Sequence, residues 1–177
     1  YEDKMTGIFA EMHRVLSDDG IFTLMFTHKK TEAWDTLTKA LINAGFSVKA
    51  THPVSTESQL SLHQAGKNAA ESTILLTSEK RDTTEEQPTL WEDVKRETRQ
   101  AAQARAKELD DQESEFAKVD MVLASFGPTL RVFTEHYPVV DEEGNEITPQ
   151  VALDEARDSV TSYLNNKYLN TGIEDVD

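Results

Sequence analysis

The sequence predicts an α/β fold in which a small sheet with flanking helices is followed by a mostly helical extension. The first observation is a run of apolar and β-prone residues, 20–26, that leads into the polar segment 27–30. The second is that one helical pattern of apolar residues precedes this run and another follows it. The third is a change after residue 80, beyond which most apolar positions follow helical spacing. Helix, buried strand and helix in succession are typical of a wound α/β sheet.

The composition is acidic and free of cysteine. The chain has 177 residues, of which 37% are hydrophobic and 29% charged, and its formal net charge is -15. The absence of Cys excludes disulfides, thiolate nucleophiles and Cys-based zinc sites within this chain and fits a cytoplasmic protein. So acidic a surface repels nucleic acid unless positive charge is clustered or the salt concentration is high. Because the carboxylates are spread along the chain, we favour adaptation to high salt, in a halophile, over an interaction domain with acidic arms.

The first predicted element is an amphipathic helix over residues 2–16. Its apolar residues recur at steps of three and four, which predicts one buried stripe: Met5, Ile8, Phe9, Met12, Val15 and Leu16. Gly20 follows in a turn and accepts the left-handed conformation found at helix ends. The strand after it, 21–27, is apolar at most positions, which predicts burial on both faces. In wound sheets ligands gather at the carboxyl ends of such strands, here the segment 27–30.

Residues 31–45 predict a second helix. Thr31 is the expected N-cap, because a Thr hydroxyl can accept a hydrogen bond from a first-turn N–H, and Gly45 ends the helix. The strand that follows, 46–52, alternates apolar with polar residues. Pro53 is expected to stop it, because proline has no N–H to donate to a strand ladder.

A third strand, 72–77, follows the long polar connection 55–70. Connections of this length are uncommon between strands and are often functional. Because no full crossover helix joins the second and third strands, we expect the third strand to run antiparallel. The predicted sheet therefore has two parallel strands plus an antiparallel last strand, within a domain that spans residues 1–80.

The rest of the chain predicts a linker at 81–89, a helical extension at 90–170 and an acidic tail at 171–177. The first long helix of the extension has a thin apolar stripe, so we expect it to pack on one side only or to pair with a second copy. The pair Gly127 and Pro128 predicts a break between two helices, with proline in the first turn of the second.

Catalytic motifs do not stand out. The chain lacks a Gly-rich phosphate loop, a Gly-x-Ser-x-Gly elbow and a His-Glu-x-x-His pair, and its five histidines show no metal-ligand spacing. The segment 141–146 resembles a calcium loop only superficially, because the oxygen spacing of an EF-hand is not met, and it indicates a solvated turn. Thr148 and Pro149 are expected to begin the last helix. We predict no metal site and, since apolar runs of about 18 residues are absent, no membrane partner.

Several segments resemble one branch of the S-adenosylmethionine-dependent methyltransferases. The segment 9–26 resembles the helix, Leu-x-x-Gly-Gly turn and strand in the later half of these enzymes. The segment 26–37, Phe-Thr-His-Lys-Lys-Thr-Glu-Ala-Trp-Asp-Thr-Leu, and the segment 71–76 resemble the large prokaryotic adenine-specific DNA methylases. These methylases combine a zinc-ribbon-like insert with an Asp-Pro-Pro-Tyr catalytic motif. The segments 124–128 and 137–149 resemble the carboxyl-terminal part of that branch.

The resemblance implies the carboxyl-terminal half of a Rossmann-like methyltransferase sheet. In the family the sheet has seven strands, the last of which is antiparallel and lies between the fifth and the sixth; the strands of this chain would be the last three. The Gly-rich cofactor loop, the acidic residue that holds the cofactor ribose and the Asp-Pro-Pro-Tyr segment have no counterpart here and lie upstream of Tyr1 in the family. We therefore expect a fragment of a DNA adenine-N6 methyltransferase, without catalytic or cofactor-binding residues and inactive alone. Only the full-length protein would bind S-adenosylmethionine and DNA.

Five residues are expected to contact DNA. The resemblance places His28, Lys29 and Lys30 beside the position of the flipped adenine, where the lysines could meet a phosphate. His63 and Lys67 lie in the polar connection that could line the DNA cleft. The alternative is that residues 28–30 only end a strand in solvent and that the connection is an ordinary loop.

A protein-interaction or dimerisation module is the alternative function. In this interpretation the charged helices at 90–135 form the contact, as in a homodimer, and the sheet is a scaffold. A remnant of a small-molecule methyltransferase is a third, weaker interpretation.

Overall fold

The computed structural model describes residues 2–55, 72–84, 87–111 and 118–171. These residues form a mixed α/β protein with five helices and two small sheets. In chain order the elements are α1 (Glu2–Val15), β1 (Ile21–Phe26), α2 (Thr31–Asn43), β2 (Phe46–Ser55), β3 (Ser72–Lys80), β4 (Thr89–Leu90), α3 (Trp91–Asp111), α4 (Lys118–Glu135), β5 (Val139–Val140) and α5 (Pro149–Thr171). None of the helices formed by these residues is long and apolar enough to cross a membrane.

The main sheet has three strands in the order β1-β3-β2. β3 pairs antiparallel with both neighbours, so β1 and β2 run in the same direction on either side of it. The antiparallel direction of the third strand is therefore confirmed. The two parallel strands are not adjacent, because the register joins each of them to β3, with Leu24 and Thr51 both opposite Leu76.

The prediction that Pro53 ends the second strand is wrong. β2 continues through Pro53 to Ser55, and Pro53 lies opposite Ile74 of β3. β2 lies at the edge of the described sheet. An edge strand tolerates proline at a position whose N–H would point away from the sheet, because no ladder hydrogen bond is lost there.

The prediction that β1 is buried on both faces is also wrong. Its side chains alternate in exposure along the strand. Phe22, Leu24 and Phe26 pack against the main core, whereas Ile21 and Met25 are 62% and 59% exposed. Successive side chains of a strand point to opposite faces, so a strand covered on one face by the described residues exposes every second residue.

The predicted stripe of α1 is only partly covered. Met5, Phe9 and Leu16, just beyond the helix, pack against the main core. Ile8, Met12 and Val15 are exposed instead, Val15 to 70%. Thus α1 and β1 each keep some apolar side chains exposed.

The main core joins the predicted sheet domain to the predicted helical extension. Trp34 of α2 packs edge-on against Phe126 of α4, with 5.9 Å between the ring centroids. Both rings belong to one buried cluster that also contains Phe46 of β2, Leu130 of α4 and Leu153 of α5. The sheet and the extension therefore share one core on the covered side of the sheet.

The predicted break at Gly127 and Pro128 is absent, since α4 is continuous from Lys118 to Glu135 with Pro128 inside it. Gly127 lies against β2: a Cβ atom at this position would be 2.2 Å from Thr51 Oγ1. Around the proline, the Thr129 hydroxyl donates to the Ser125 carbonyl at 2.9 Å. Proline removes one N–H of the helix, and α4 remains continuous across that gap.

The long helix α3 packs inside the chain, against α4 and α5. Its thin stripe is buried along the whole length of the helix: Val94, Thr98, Ala102, Ala106 and Leu109. At the far end, Asp110 accepts hydrogen bonds from Lys167 and, at 3.1 Å, from the Tyr163 hydroxyl of α5. The hydrogen bond from Lys167 is the main cause that lowers the pKa of Asp110 below its ordinary value. Of the two expectations for this stripe, packing on one side within the chain is the one observed.

A second sheet pairs β4 parallel with β5. The sequence pattern predicts a short strand at 138–140 with a turn and a return, but not the pairing with β4. A turn follows in which Asp141 Oδ1 accepts the N–H groups of Glu143 and Asn145, at 3.0 and 2.7 Å. These bonds and that from the Asn145 side chain lower the pKa of Asp141. The carboxylate thus closes an exposed turn, as expected for this segment. α5 then begins at Pro149, directly after Thr148, as predicted.

Candidate functional site

The turn between β1 and α2 is built around His28. Its backbone carbonyl accepts a hydrogen bond from Trp34 Nε1 at 2.7 Å, and its Nδ1 accepts the Lys30 N–H at 3.0 Å. Trp34 is fully buried, so the first of these bonds fixes the turn to the core. Both bonds fit the alternative interpretation of His28, in which residues 28–30 only end the strand and His28 has a structural role in the turn.

Lys29 and Lys30 are both exposed at the carboxyl end of β1. Lys30, and not the predicted Thr31, is the N-cap of α2, and it makes no side-chain cap hydrogen bond. Thr31 lies in the first helical turn and is buried. The prediction of Thr31 as N-cap is therefore wrong, because the chain enters the helix one residue earlier than the capping pattern indicates.

Lys29 lies at the mouth of a cleft between α4, α5 and the β1–α2 turn, with a volume of about 380 Å³. Leu123 and Phe126 of α4 and Leu164 of α5 form part of its apolar wall. Its polar side chains are Lys29, Arg157, Thr161 and Asn165. We call this the Lys29–Arg157 cleft.

A series of polar contacts positions Arg157 beside the cleft. Asp35 of α2 accepts the backbone N–H of Gln150 at 2.8 Å and so caps the first turn of α5. The second oxygen of Asp35 accepts from Lys39 at 2.6 Å. One turn along α5, Asp154 accepts from the Gln150 side chain at 2.9 Å and from Arg157 at 3.3 Å. These contacts fix the start of α5 against α2, and with it the distance between Arg157 and the turn that carries Lys29.

The cleft is suited to binding rather than to proton transfer. The ionisable side chains among its described lining residues are two cations, Lys29 and Arg157. Its lining residues offer no carboxylate, imidazole or thiol that could act as a base or nucleophile. Over the whole described part of the chain, His, Asp and Glu side chains form no group of three that could hold a metal ion.

Sequence reasoning identified Lys29 but missed Arg157, Thr161 and Asn165. These three residues recur every four positions, so they lie on one face of α5. That spacing was visible in the sequence, but it does not tell which partner the face meets. His63 and Lys67, the other two predicted DNA contacts, lie outside the described residues.

Searches against protein-family models, curated proteins and solved structures returned no match for this chain.

Proposed function

We propose that this chain is the carboxyl-terminal portion of an S-adenosylmethionine-dependent DNA adenine-N6 methyltransferase and that it is inactive by itself. The observation that carries the proposal is the strand order. β3 lies antiparallel between β1 and β2, and α2 connects the two outer strands, which run in the same direction. This is the arrangement that the resemblance implies for the last three strands of the family's sheet.

The uncovered side of the sheet also supports the proposal. In the described part of the chain β1 pairs only with β3, so its other edge is open. Exposed apolar side chains are found on β1 itself, Ile21 and Met25, and on the preceding helix α1, Ile8 and Val15. Proteins normally protect an open sheet edge, and contiguous exposed apolar surface usually marks a contact. A further strand beside β1, with its helices, would cover both.

In this proposal the chain by itself does not hold S-adenosylmethionine. The cofactor carries a positively charged sulfonium, and the two ionisable groups at the Lys29–Arg157 cleft, Lys29 and Arg157, are both cations. The Gly-rich loop and the ribose-binding carboxylate of the family have no counterpart in this sequence. In the proposal the cofactor is held by a preceding part of the protein, and this chain supplies Lys29 and Lys30 toward DNA.

The reading frame upstream of the Tyr1 codon gives the first test. We expect it to continue and to encode a Gly-rich loop followed by an Asp-Pro-Pro-Tyr motif. A stop codon directly upstream, or a long upstream region without either motif, would contradict the proposal.

Methyl transfer gives the second test. Radiolabelled S-adenosylmethionine and DNA are incubated with residues 1–177 or with the product of the full reading frame, and N6-methyladenine is measured after nuclease digestion. We expect product only with the longer protein. Product from residues 1–177 alone would disprove the assignment of this chain as an inactive portion.

The alternative function, dimerisation through the helices at 90–135, receives less support. The apolar stripe of α3 that such a dimer would use is buried inside the chain, against α4 and α5. The exposed apolar residues of the described structure lie mainly on α1 and β1 instead.

A further inference from the structure

The Lys29–Arg157 cleft combines an apolar wall with two cations in a chain whose net charge is -15. On so acidic a surface, anions are repelled almost everywhere. The ionisable groups among the described lining residues of this cleft are Lys29 and Arg157, and Arg157 is paired with Asp154. The cleft therefore favours a ligand that is both anionic and in part apolar.

Arg157 can bind an anion without giving up its place in the structure. One of its terminal nitrogens contacts Asp154 at 3.3 Å, and its side chain remains 42% exposed. A guanidinium has five N–H donors, which leaves donors for a phosphate beside the carboxylate. Lys29, at the mouth of the same cleft, can approach the phosphate as a second positive charge.

The wall of the cleft matches the other half of such a ligand. Leu123, Phe126 and Leu164 line the cleft with the small part of their surface that is not buried, 4%, 1% and 1%. A flat ring would contact this part, and the volume of about 380 Å³ is at the small end of ligand sites. Thr161 and Asn165 lie beside this wall, and together they offer hydrogen-bond donors and acceptors to the polar edge of a base. A ring with polar edges that carries a phosphate is a nucleotide.

We infer that the Lys29–Arg157 cleft binds one nucleotide unit of an unpaired DNA strand, with the phosphate between Lys29 and Arg157 and the base against the apolar wall. The choice of DNA rests on the proposed function; a free mononucleotide has the same chemistry and is the other source to be tested. The site holds a strand and takes no part in methyl transfer.

Binding is measured on residues 1–177 by the fluorescence anisotropy of a short single-stranded oligodeoxyadenylate labelled with fluorescein, at a series of salt concentrations. We expect Arg157→Gln to weaken binding about tenfold, the loss expected for a charge-assisted hydrogen bond. The slope of log affinity against log salt should fall by about 0.7 for the lost phosphate contact. Arg131→Gln is the matched control, since it removes the same charge from an exposed pair with Glu135 on α4, away from the cleft lining. Its affinity should remain within about twofold of the unmodified chain.

A second pair of variants tests the wall without changing any charge. Thr161→Trp fills the cleft and should abolish binding, whereas Ser162→Trp, on the next exposed residue of α5, should not. Circular dichroism confirms that each variant is folded. Equal affinities for Arg157→Gln and Arg131→Gln, or unchanged binding by Thr161→Trp, would overturn the inference.

Competition separates the two sources of the nucleotide. If unlabelled strand displaces the probe and deoxyadenosine monophosphate does not at the same nucleotide concentration, the strand is the ligand. Equal displacement by the mononucleotide at that concentration overturns the strand assignment. The proposed function is tested separately. It is contradicted if the upstream reading frame lacks methyltransferase motifs, whatever the cleft binds. It is retained, and only the cleft inference is lost, if the full-length protein methylates adenine but the cleft variants bind DNA normally.

Discussion

The two edges of the three-stranded sheet differ in how far the described residues cover them. The β2 edge is covered by α4: the Val48 N–H donates to the hydroxyl of Thr134 at 2.9 Å, and Gly127 lies directly against Thr51. The free edge of β1 has no strand partner among the described residues, and none of the described residues of α1 is fully buried. The β2 edge is therefore covered within the described residues. On β1, by contrast, Ile21 and Met25 remain exposed.

From this difference we expect β2 and its neighbours to contribute most to the stability of the described fold, and β1 to be the part that associates with a partner. Substitutions near β2 should cost folding free energy, because packing and hydrogen bonds there are complete. Substitutions near β1 should leave folding almost unchanged and alter association instead. The predictions below test this contrast from the largest expected effect to the smallest.

The largest contrast is between Phe46→Ala and Met25→Ala. Phe46 is fully buried on β2, so we expect a loss of about 3–5 kcal/mol in the free energy of unfolding. Met25 is 59% exposed on β1, so its substitution should cost less than about 0.5 kcal/mol. Urea denaturation followed by circular dichroism measures both values. Similar losses of unfolding free energy in the two variants would contradict the predicted difference between β2 and β1.

A pair of glycines gives the next effect. Gly127→Ala places a methyl group 2.2 Å from Thr51 Oγ1 and 2.5 Å from its Cβ, and we expect a loss of about 1–3 kcal/mol from overpacking. Gly7→Ala on α1 meets nothing within 4 Å and should stabilise the helix by about 0.5–1 kcal/mol. Thermal unfolding should therefore show a lower melting temperature for Gly127→Ala and a higher one for Gly7→Ala. A stabilised Gly127→Ala variant would mean that α4 does not press on β2.

Thr134→Val tests the hydrogen bond that covers the β2 edge. The buried Val48 N–H would lose its acceptor, and we expect a cost of about 1–3 kcal/mol. Thr23→Val, on the exposed face of β1, is the matched control and should change stability by less than about 0.5 kcal/mol. Hydrogen exchange of the Val48 amide provides an independent measurement, and it should become faster only in Thr134→Val.

Acid should weaken the helical layer on the covered side through Asp110. Its pKa is lowered in the folded chain, so the carboxylate contributes stability above its unfolded pKa and loses that contribution as the pH falls through the folded pKa. Unfolding free energies are compared for the unmodified chain and Asp110→Asn at neutral pH and below the ordinary Asp pKa of 3.8. We expect the difference between them to shrink in acid. A difference independent of pH would show that the pair with Lys167 contributes nothing.

The smallest effect on folding is expected at the open edge. Ile21→Lys adds a charge to the exposed face of β1 and should change stability by less than about 0.5 kcal/mol. It should also reduce self-association of residues 1–177 at high concentration, because a charged edge strand resists pairing. Sedimentation velocity measures this, with Ser162→Lys on α5 as control. If the unmodified chain stays monomeric at every concentration, the open edge of β1 does not mediate self-association.

Local pattern was sufficient to find most of the elements. The helices that contain Phe9, Trp34 and Val94 follow from apolar spacing, and the start of α5 at Pro149 follows from its capping sequence. The antiparallel direction of β3 was predicted from the polar, irregular pattern of residues 55–70, which does not indicate a full crossover helix, and the pairing of β2 with β3 confirms it. The bounds of β2 and the continuity of α4 could not be found in this way, because Pro53 and Pro128 read locally as breaks.

The sequence by itself determined where helices and strands form, because that depends on residues a few positions apart, and it placed Lys29 and Lys30 at the end of the first strand. Only the tertiary structure decided which strands are edges, that α4 passes unbroken over Thr51, and that Asp35 caps a helix that begins 114 residues later, at Pro149. It also decided that Arg157 and Lys29 line the same cleft. The physical reason is the same in each case: a strand edge, a close approach and a binding cleft are made by pairs of residues far apart in the chain, and their pairing leaves no local periodicity.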